Sequence, residues 1–370
     1  MSKVYFTDFR ATFEQNIPKK FENLIKKAGI GQIDFSKKFT AVKMHFGEPG
    51  NLAFLRPNYA KVVVDTVKEK GGLAFLTDCN TLYVGRRKHA LEHLSAAFEN
   101  GFSPLSTGCH VIIADGLKGT DEKEVPISSK NLKHLKSAKI GTAIMDADIF
   151  ISLNHFKGHE STGFGGALKN IGMGCGSRAG KMEMHYSGKP AVDIEKCVKC
   201  GQCYRNCAHG AISFPKPEQK AHIDTEKCVG CGRCIGSCNY DAISPVNGSS
   251  NVILNEKIAE YSLAVLQNRP NFHISVIQDV SPYCDCHAEN DVPIVPDIGM
   301  LASFDPVSLD KACADLVNAA KPIENSLLGE SRHGYHDHFK NVFPETDWES
   351  CLKHAQDIGI GQMDYELVRI

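Results

Sequence analysis

The chain has 370 residues, 42% hydrophobic and 23% charged, with a formal net charge of −1. That length exceeds what one compact core usually accommodates, so two or more structural units are expected. The near-neutral charge leaves no electrostatic footprint for nucleic acid or an anionic membrane surface, and no apolar run reaches the roughly 18 residues of a membrane-spanning helix.

The opening residues Met1–Asp8 turn polar too early for a secretory signal and read as a first strand, Val4–Phe9. An amphipathic helix, Pro18–Ala28, is followed by a strand over Thr40–Phe46. At the end of that strand stands His45-Phe46-Gly47-Glu48-Pro49-Gly50-Asn51, where His45 is a candidate site residue. Next come a helix over Asn58–Lys70, a strand over Leu73–Asp78, a helix over Arg86–Asn100, a strand over His110–Ala114, a short helix over Thr142–Ala147 and a strand over Ile149–Leu153. Such alternation predicts an α/β domain with a mostly parallel sheet.

Directly after the last of these strands runs Asn154-His155-Phe156-Lys157-Gly158-His159-Glu160, then Gly163-Phe164-Gly165-Gly166-Ala167-Leu168-Lys169-Asn170. Open α/β sheets place their ligand loops at this end of a strand. Glycines let the backbone approach a ligand, and His155, Lys157, His159, Lys169 and Asn170 supply charge and protons for an anionic substrate. The spacing matches neither a Walker loop nor a dinucleotide fingerprint.

Of fifteen cysteines, eight fall between 197 and 238. With no export signal they argue for metal binding in a reducing, cytoplasmic setting rather than for a disulfide scaffold. They form two runs, Cys197-x2-Cys200-x2-Cys203-x3-Cys207 and Cys228-x2-Cys231-x2-Cys234-x3-Cys238, set 31 residues apart. Residues 195–214 and 226–245 agree at 11 of 20 positions, so the segment is an internal duplication. Three cysteines at this spacing let one tight loop wrap three corners of a cubane, whereas tetrathiolate zinc prefers paired knuckles farther apart. The pattern resembles the two-cluster bacterial ferredoxins, in which the fourth cysteine of each run ligates the other cluster. That resemblance implies two 4Fe–4S clusters, one on Cys197, Cys200, Cys203 and Cys238 and one on Cys228, Cys231, Cys234 and Cys207. Ala208 and Asn239 replace the proline that usually follows the fourth cysteine.

Beyond residue 250 the pattern gives a helix (Asn255–Gln267), a strand (Phe272–Asp279), helices over Val307–Ala320 and near Trp348–Gln356, and a closing strand Tyr365–Ile370. Between them Cys284-Asp285-Cys286-His287 offers Cys284, Cys286 and His287 as ligands for an additional metal. His333, His336 and His338 sit in a polar loop, and Cys79, Cys109, Cys313 and Cys351 lie in apolar patterns expected to be core. The expected organisation is residues 1–189 as the first part of an α/β domain, 190–247 as an inserted α+β ferredoxin-type module, and 248–370 completing the first domain. Turn-rich stretches at Ser187–Pro190 and Ser244–Ser250 bound the module.

The run His155–His159 with Gly163–Gly174, and Cys284–His287 with Pro296-Asp297-Ile298-Gly299 and Ser303–Val307, resembles domain-of-unknown-function family 362 over essentially the whole chain. Members with an inserted ferredoxin module are iron–sulfur proteins of anaerobes without an assigned reaction. A fainter similarity joins the lysine–glycine loop to nickel-dependent racemase-type proteins. The expected function is therefore electron transfer through two clusters to or from a site in the α/β domain, with a redox partner protein or a small anionic substrate. The alternatives are a non-catalytic protein with structural or oxygen-sensing clusters, and a metal-dependent isomerase or lyase without redox chemistry.

Overall fold

The computed structural model describes every residue except 186–188, 215, 217–218, 246–249 and 332–333. Parts of the two turn-rich boundaries, and His333, fall outside the described residues. Eight strands make one sheet, in the order Tyr365–Arg369, Ser2–Asp8, Gly299–Ser303, Asn271–Ile277, Ile149–His155, Phe39–Lys43, Leu73–Asp78 and Val111–Ile113. Gly299–Ser303 runs against both of its neighbours, and every other neighbouring pair is parallel, so the sheet is mostly parallel. Ile149–His155 is buried at every position, as expected for a central strand covered on both faces.

Side chains alternate between two cores, one on each face of the sheet. Val42, Ile151 and Ile274 pack with helices Ile17–Lys27 and Pro57–Glu69. Ala41, Phe150 and Leu301 face the opposite layer, made by helices Ala167–Cys175, Asn251–Leu266, Pro306–Ala319 and Trp348–Asp357. Asn251–Leu266 is buried almost all round because it lies between two other helices of its layer. Gly172 is what lets helix Ala167–Cys175 approach it, since a Cβ there would fall 2.2 Å from the carbonyl oxygen of Ile258. Ordinarily glycine-to-alanine stabilises a helix interior by up to about 1 kcal/mol. Gly172→Ala is expected instead to destabilise the chain by about 1–3 kcal/mol, through overpacking, when measured by chemical denaturation.

Strand connections run outward in both directions from one point. After Phe39–Lys43 the chain moves to one edge through Leu73–Asp78 and Val111–Ile113, and after Ile149–His155 it moves the other way through Asn271–Ile277. The loops leaving these two adjacent strands therefore diverge and open a crevice at their carboxyl ends. Among the described residues, no helix is long and apolar enough to cross a membrane.

Residues 190–245 stand outside the main sheet. They form two short antiparallel pairs, Pro190–Val192 with Ile243–Pro245 and Ile212–Ser213 with His222–Ile223, and two one-turn helices, Gln202–Asn206 and Arg233–Ser237. The 31-residue repeat is visible in the backbone. Lys199 and Gly230 have φ 60° and 72°, and Gly201 and Gly232 have φ 74° and 68°. Cys197 N–H donates to Asp193 O at 3.1 Å, and Cys228 N–H donates to Asp224 O at 3.0 Å. The segment rests on helix Arg178–His185, whose Arg178 and Met182 press against Gly232 and Gly236.

Several boundaries differ from the sequence reading. The helix expected over Arg86–Asn100 begins at Ala90, because Arg87 is drawn to Glu48 at 2.8 Å while His89 caps the helix by accepting from Glu92 N–H. The strand expected over Thr40–Phe46 ends at Lys43, and Gly163–Lys169, read as loop, holds a strand and the start of a helix. His338 opens a short helix and faces the carbonyl oxygen of Ala320 at 2.9 Å. Cys79, Cys109, Cys313 and Cys351 are buried, as expected.

Candidate active site

At the carboxyl end of Phe39–Lys43, buried Lys43 is fixed by Asp78 Oδ1 at 3.0 Å and Asn170 Oδ1 at 2.6 Å. Two residues on, His45 Nδ1 accepts the Gly47 N–H at 2.9 Å, which leaves the ring proton on Nε2. Nε2 makes no hydrogen bond. Burial, with the charges of Arg87 and Lys157, holds His45 well below the usual histidine range, so the ring is neutral.

At the end of Ile149–His155, His155 Nδ1 donates to Asp285 Oδ1 at 2.8 Å, and its Nε2 faces the Gln278 carbonyl oxygen at 2.7 Å. The same carboxylate lies 3.4 Å from Lys157 Nζ. Burial pushes the Asp285 carboxyl up, but His155 and Lys157 outweigh it and lower it to about 2. Asp285 is therefore the charge that locks the strand-end histidine and lysine to the Cys284–Cys286 turn.

His159 Nδ1 accepts two backbone N–H groups, from Ser161 at 3.0 Å and Thr162 at 3.2 Å. Its proton therefore sits on Nε2, and burial together with Lys169 lowers its pKa to about 4. Helix Ala167–Cys175 supplies Lys169 and Asn170, and the Asp310 carboxylate receives its first N–H groups, Ala167 at 2.6 Å and Leu168 at 2.9 Å. Asn170 spends its amide on Asn154 Oδ1 at 2.8 Å and the Lys43 carbonyl at 3.2 Å, so it positions the cavity wall. Lys169 Nζ reaches Cys284 Sγ at 3.7 Å and pairs with no carboxylate among the described residues.

These groups border one cavity of about 690 Å³. It unites the three sequence candidates: His45; His155, Lys157, His159, Lys169 and Asn170; and Cys284, Cys286 and His287. His159, Cys284 and Cys286 bring their ligand atoms within 4.8 Å of one another. His287 turns instead to Glu160 at 3.1 Å and Glu289 at 3.4 Å, so the histidine beside the two sulfurs is His159. The turn is closed by His287 N–H donating to Cys284 O at 3.0 Å. A thiol hydrogen bond from Cys286 lowers Cys284 well below the usual thiol range, with Lys169 and Lys157 adding to it. Lys169→Met is expected to raise the Cys284 pKa, moving the pH at which iodoacetamide alkylation of Cys284 reaches half its maximal rate upward by about one unit, as read by peptide mass analysis across a pH series.

Sequence reasoning passed over Lys43, Asp78, Glu48, Arg87, Asp285 and Lys181, all of which border the cavity or hold its walls. The signal for Lys43 was present: a lysine inside the apolar strand Phe39–Lys43 must find a buried partner.

The eight clustered cysteines surround two further cavities of equal volume. One is lined by Cys197, Cys200, Cys203 and Cys238, and the other by Cys228, Cys231, Cys234 and Cys207. Cys207 and Cys238, the fourth cysteines, each accept a backbone N–H, from Ala211 at 3.4 Å and Ala242 at 3.3 Å. Leu82 belongs both to this cysteine-rich core and to the wall of the large cavity.

Comparison with solved structures finds a Thermotoga maritima protein at 14% identity and TM-score 0.39, covering 81% of this chain and 58% of that one. It also finds the lactate racemase apoprotein of Thermoanaerobacterium thermosaccharolyticum at 10% identity and TM-score 0.33, covering 75% of this chain and 51% of that one. The chain thus spans little more than half the length of either. No curated protein matches it. A family model matches residues 40–315, from the second strand of the sheet to helix Pro306–Ala319 and across the whole cavity, and the chain belongs to that family, described as Domain of unknown function (DUF362).

Proposed function

We propose that this chain is an iron–sulfur redox protein in which residues 190–247 form an inserted two-cluster module serving a reaction site in the large cavity. The observation that carries the reading is the lining of the two small cavities: each takes three cysteines from one run and the fourth from the other. Four thiolates around each space are the donor set of a 4Fe–4S cubane, and a left-handed residue at each of two equivalent loop positions lets the backbone wrap it closely. When bound, such clusters pass single electrons.

The chain's own residues supply the rest. Lys169 offers an ammonium with no carboxylate partner among the described residues, which suits a small anion. The Nε2–H groups of neutral His45 and His159 are donors for an oxygen of that anion. The pairs Lys43–Asp78 and Arg87–Glu48, each buried, hold the walls without adding net charge. Helix Arg178–His185 connects the two parts, with Lys181 on the cavity and Met182 in the cysteine-rich core. Anaerobic dithionite reduction of the cluster-loaded protein, followed by electron paramagnetic resonance, tests the reading. Signals of reduced 4Fe–4S centres support it, and clusters that take up no electrons remove it.

A further inference from the structure

The large cavity holds two thiols, Cys284 and Cys286, that the clusters leave unused. Cys284 and Cys286 flank Asp285 in a tight turn, closed by His287 N–H on Cys284 O at 3.0 Å. Such a turn brings residues two apart to a Cα separation of about 5.5–6 Å, inside the range that a disulfide spans. Asp285 anchors the turn through His155 and Lys157, so the two sulfurs are presented together into the cavity. Lys169 stands 3.7 Å from Cys284 Sγ. Cys79 also borders the cavity but donates its thiol to the Cys175 carbonyl oxygen at 3.3 Å, and burial holds it well above the usual thiol range.

A divalent metal on His159, Cys284 and Cys286 is the competing occupant, and two observations oppose it. Metal-ligating histidines donate their other ring N–H to an acceptor, whereas His159 Nδ1 receives two backbone N–H groups. The ammoniums of Lys157 and Lys169 also lie beside the sulfurs, where they repel a cation and favour a thiolate.

Relying on the redox reading above for the fate of the electrons, we propose that Cys284 and Cys286 are a redox-active dithiol, a two-electron relay between the clusters and the cavity. In the oxidising direction Cys284 Sγ⁻ and Cys286 Sγ–H join as a disulfide. One S–S bond forms, one S–H bond breaks, and two electrons depart, one to each cluster. The proton leaves from Cys286, which is only partly buried, to water. In the reverse direction two electrons, one from each reduced cluster, and one proton reopen the disulfide to Cys284 Sγ⁻ and Cys286 Sγ–H. Leu82 is common to the cysteine-rich core and the cavity wall.

The test is anaerobic. Cluster-loaded full-length protein is poised at a series of potentials, acid-quenched, alkylated with N-ethylmaleimide and digested. The mass of the peptide carrying both cysteines is then read. Expected are two labels under reducing conditions and none, with a loss of two hydrogens, under oxidising conditions. Cys284→Ser and Cys286→Ser should each keep a single label at every potential while retaining the iron of the parent protein. Two labels at all potentials with reducible clusters would overturn the dithiol and leave the cluster reading intact. Stoichiometric zinc lost in Cys284→Ser would overturn it in favour of a metal. Reversible disulfide formation in protein whose clusters cannot be reduced would overturn the relay and, separately, the redox reading itself.

Discussion

Cys238→Ala is expected to lose about half of the bound iron, and the half it loses belongs to the run that begins 41 residues upstream at Cys197. Cys238 lines the same cavity as Cys197, Cys200 and Cys203, and Cys207 lines the other. Pairs of substitutions separate this arrangement from one in which each run binds its own cluster. With exchanged ligands, Cys200→Ala with Cys238→Ala removes no more iron than either change alone, because both act on one cluster. Cys200→Ala with Cys207→Ala empties both. Local ligation predicts the opposite order, and iron analysis of the anaerobically purified double variants decides between them. On the proposed reading the exchange would join the halves of a segment too small to be stable through its apolar core alone, so loss of both clusters should unfold residues 190–245 cooperatively.

Asp285→Ala is expected to cost about 3–5 kcal/mol of stability. Asp285 is almost completely buried and is the shared anion for His155 and Lys157, so its removal strands the Lys157 ammonium without a counter-charge. The ordinary carboxyl pKa is 3.8, and in the folded chain His155 and Lys157, working against burial, bring Asp285 down to about 2. A depressed carboxyl stabilises the fold when ionised. Its contribution, about 2 kcal/mol, is complete above pH ~4 and is lost as the pH falls toward ~2. Denaturation midpoints of Asp285→Asn should therefore fall less steeply between pH 4 and 2 than those of the parent.

What could be read from the sequence was whatever is set by local spacing. The cysteine runs stand out by their own spacing, because seven consecutive residues carry three cysteines. His45 and His155 were found since each follows an apolar strand, where open sheets place their loops. Residues that meet only through the fold stayed hidden. Cys284 and His159 are 125 positions apart, and no periodicity relates them. His287 looked like the third ligand because it is adjacent in the chain, but the turn that presents the two sulfurs sends it toward Glu160 and Glu289. The helix Ala167–Cys175 read as loop because glycines lower helix propensity, an effect overcome by the Asp310 cap and by close packing on Asn251–Leu266. Strand Gly299–Ser303 was passed over since it is short and is the antiparallel member of an otherwise parallel sheet.

The central claim is that eight thiolates hold two iron–sulfur cubanes. Its most direct measurement is iron, acid-labile sulfide and zinc per chain in anaerobically purified full-length protein. The account predicts about eight iron and about eight sulfide with no zinc in the cysteine sites. About two zinc ions per chain without sulfide would contradict it.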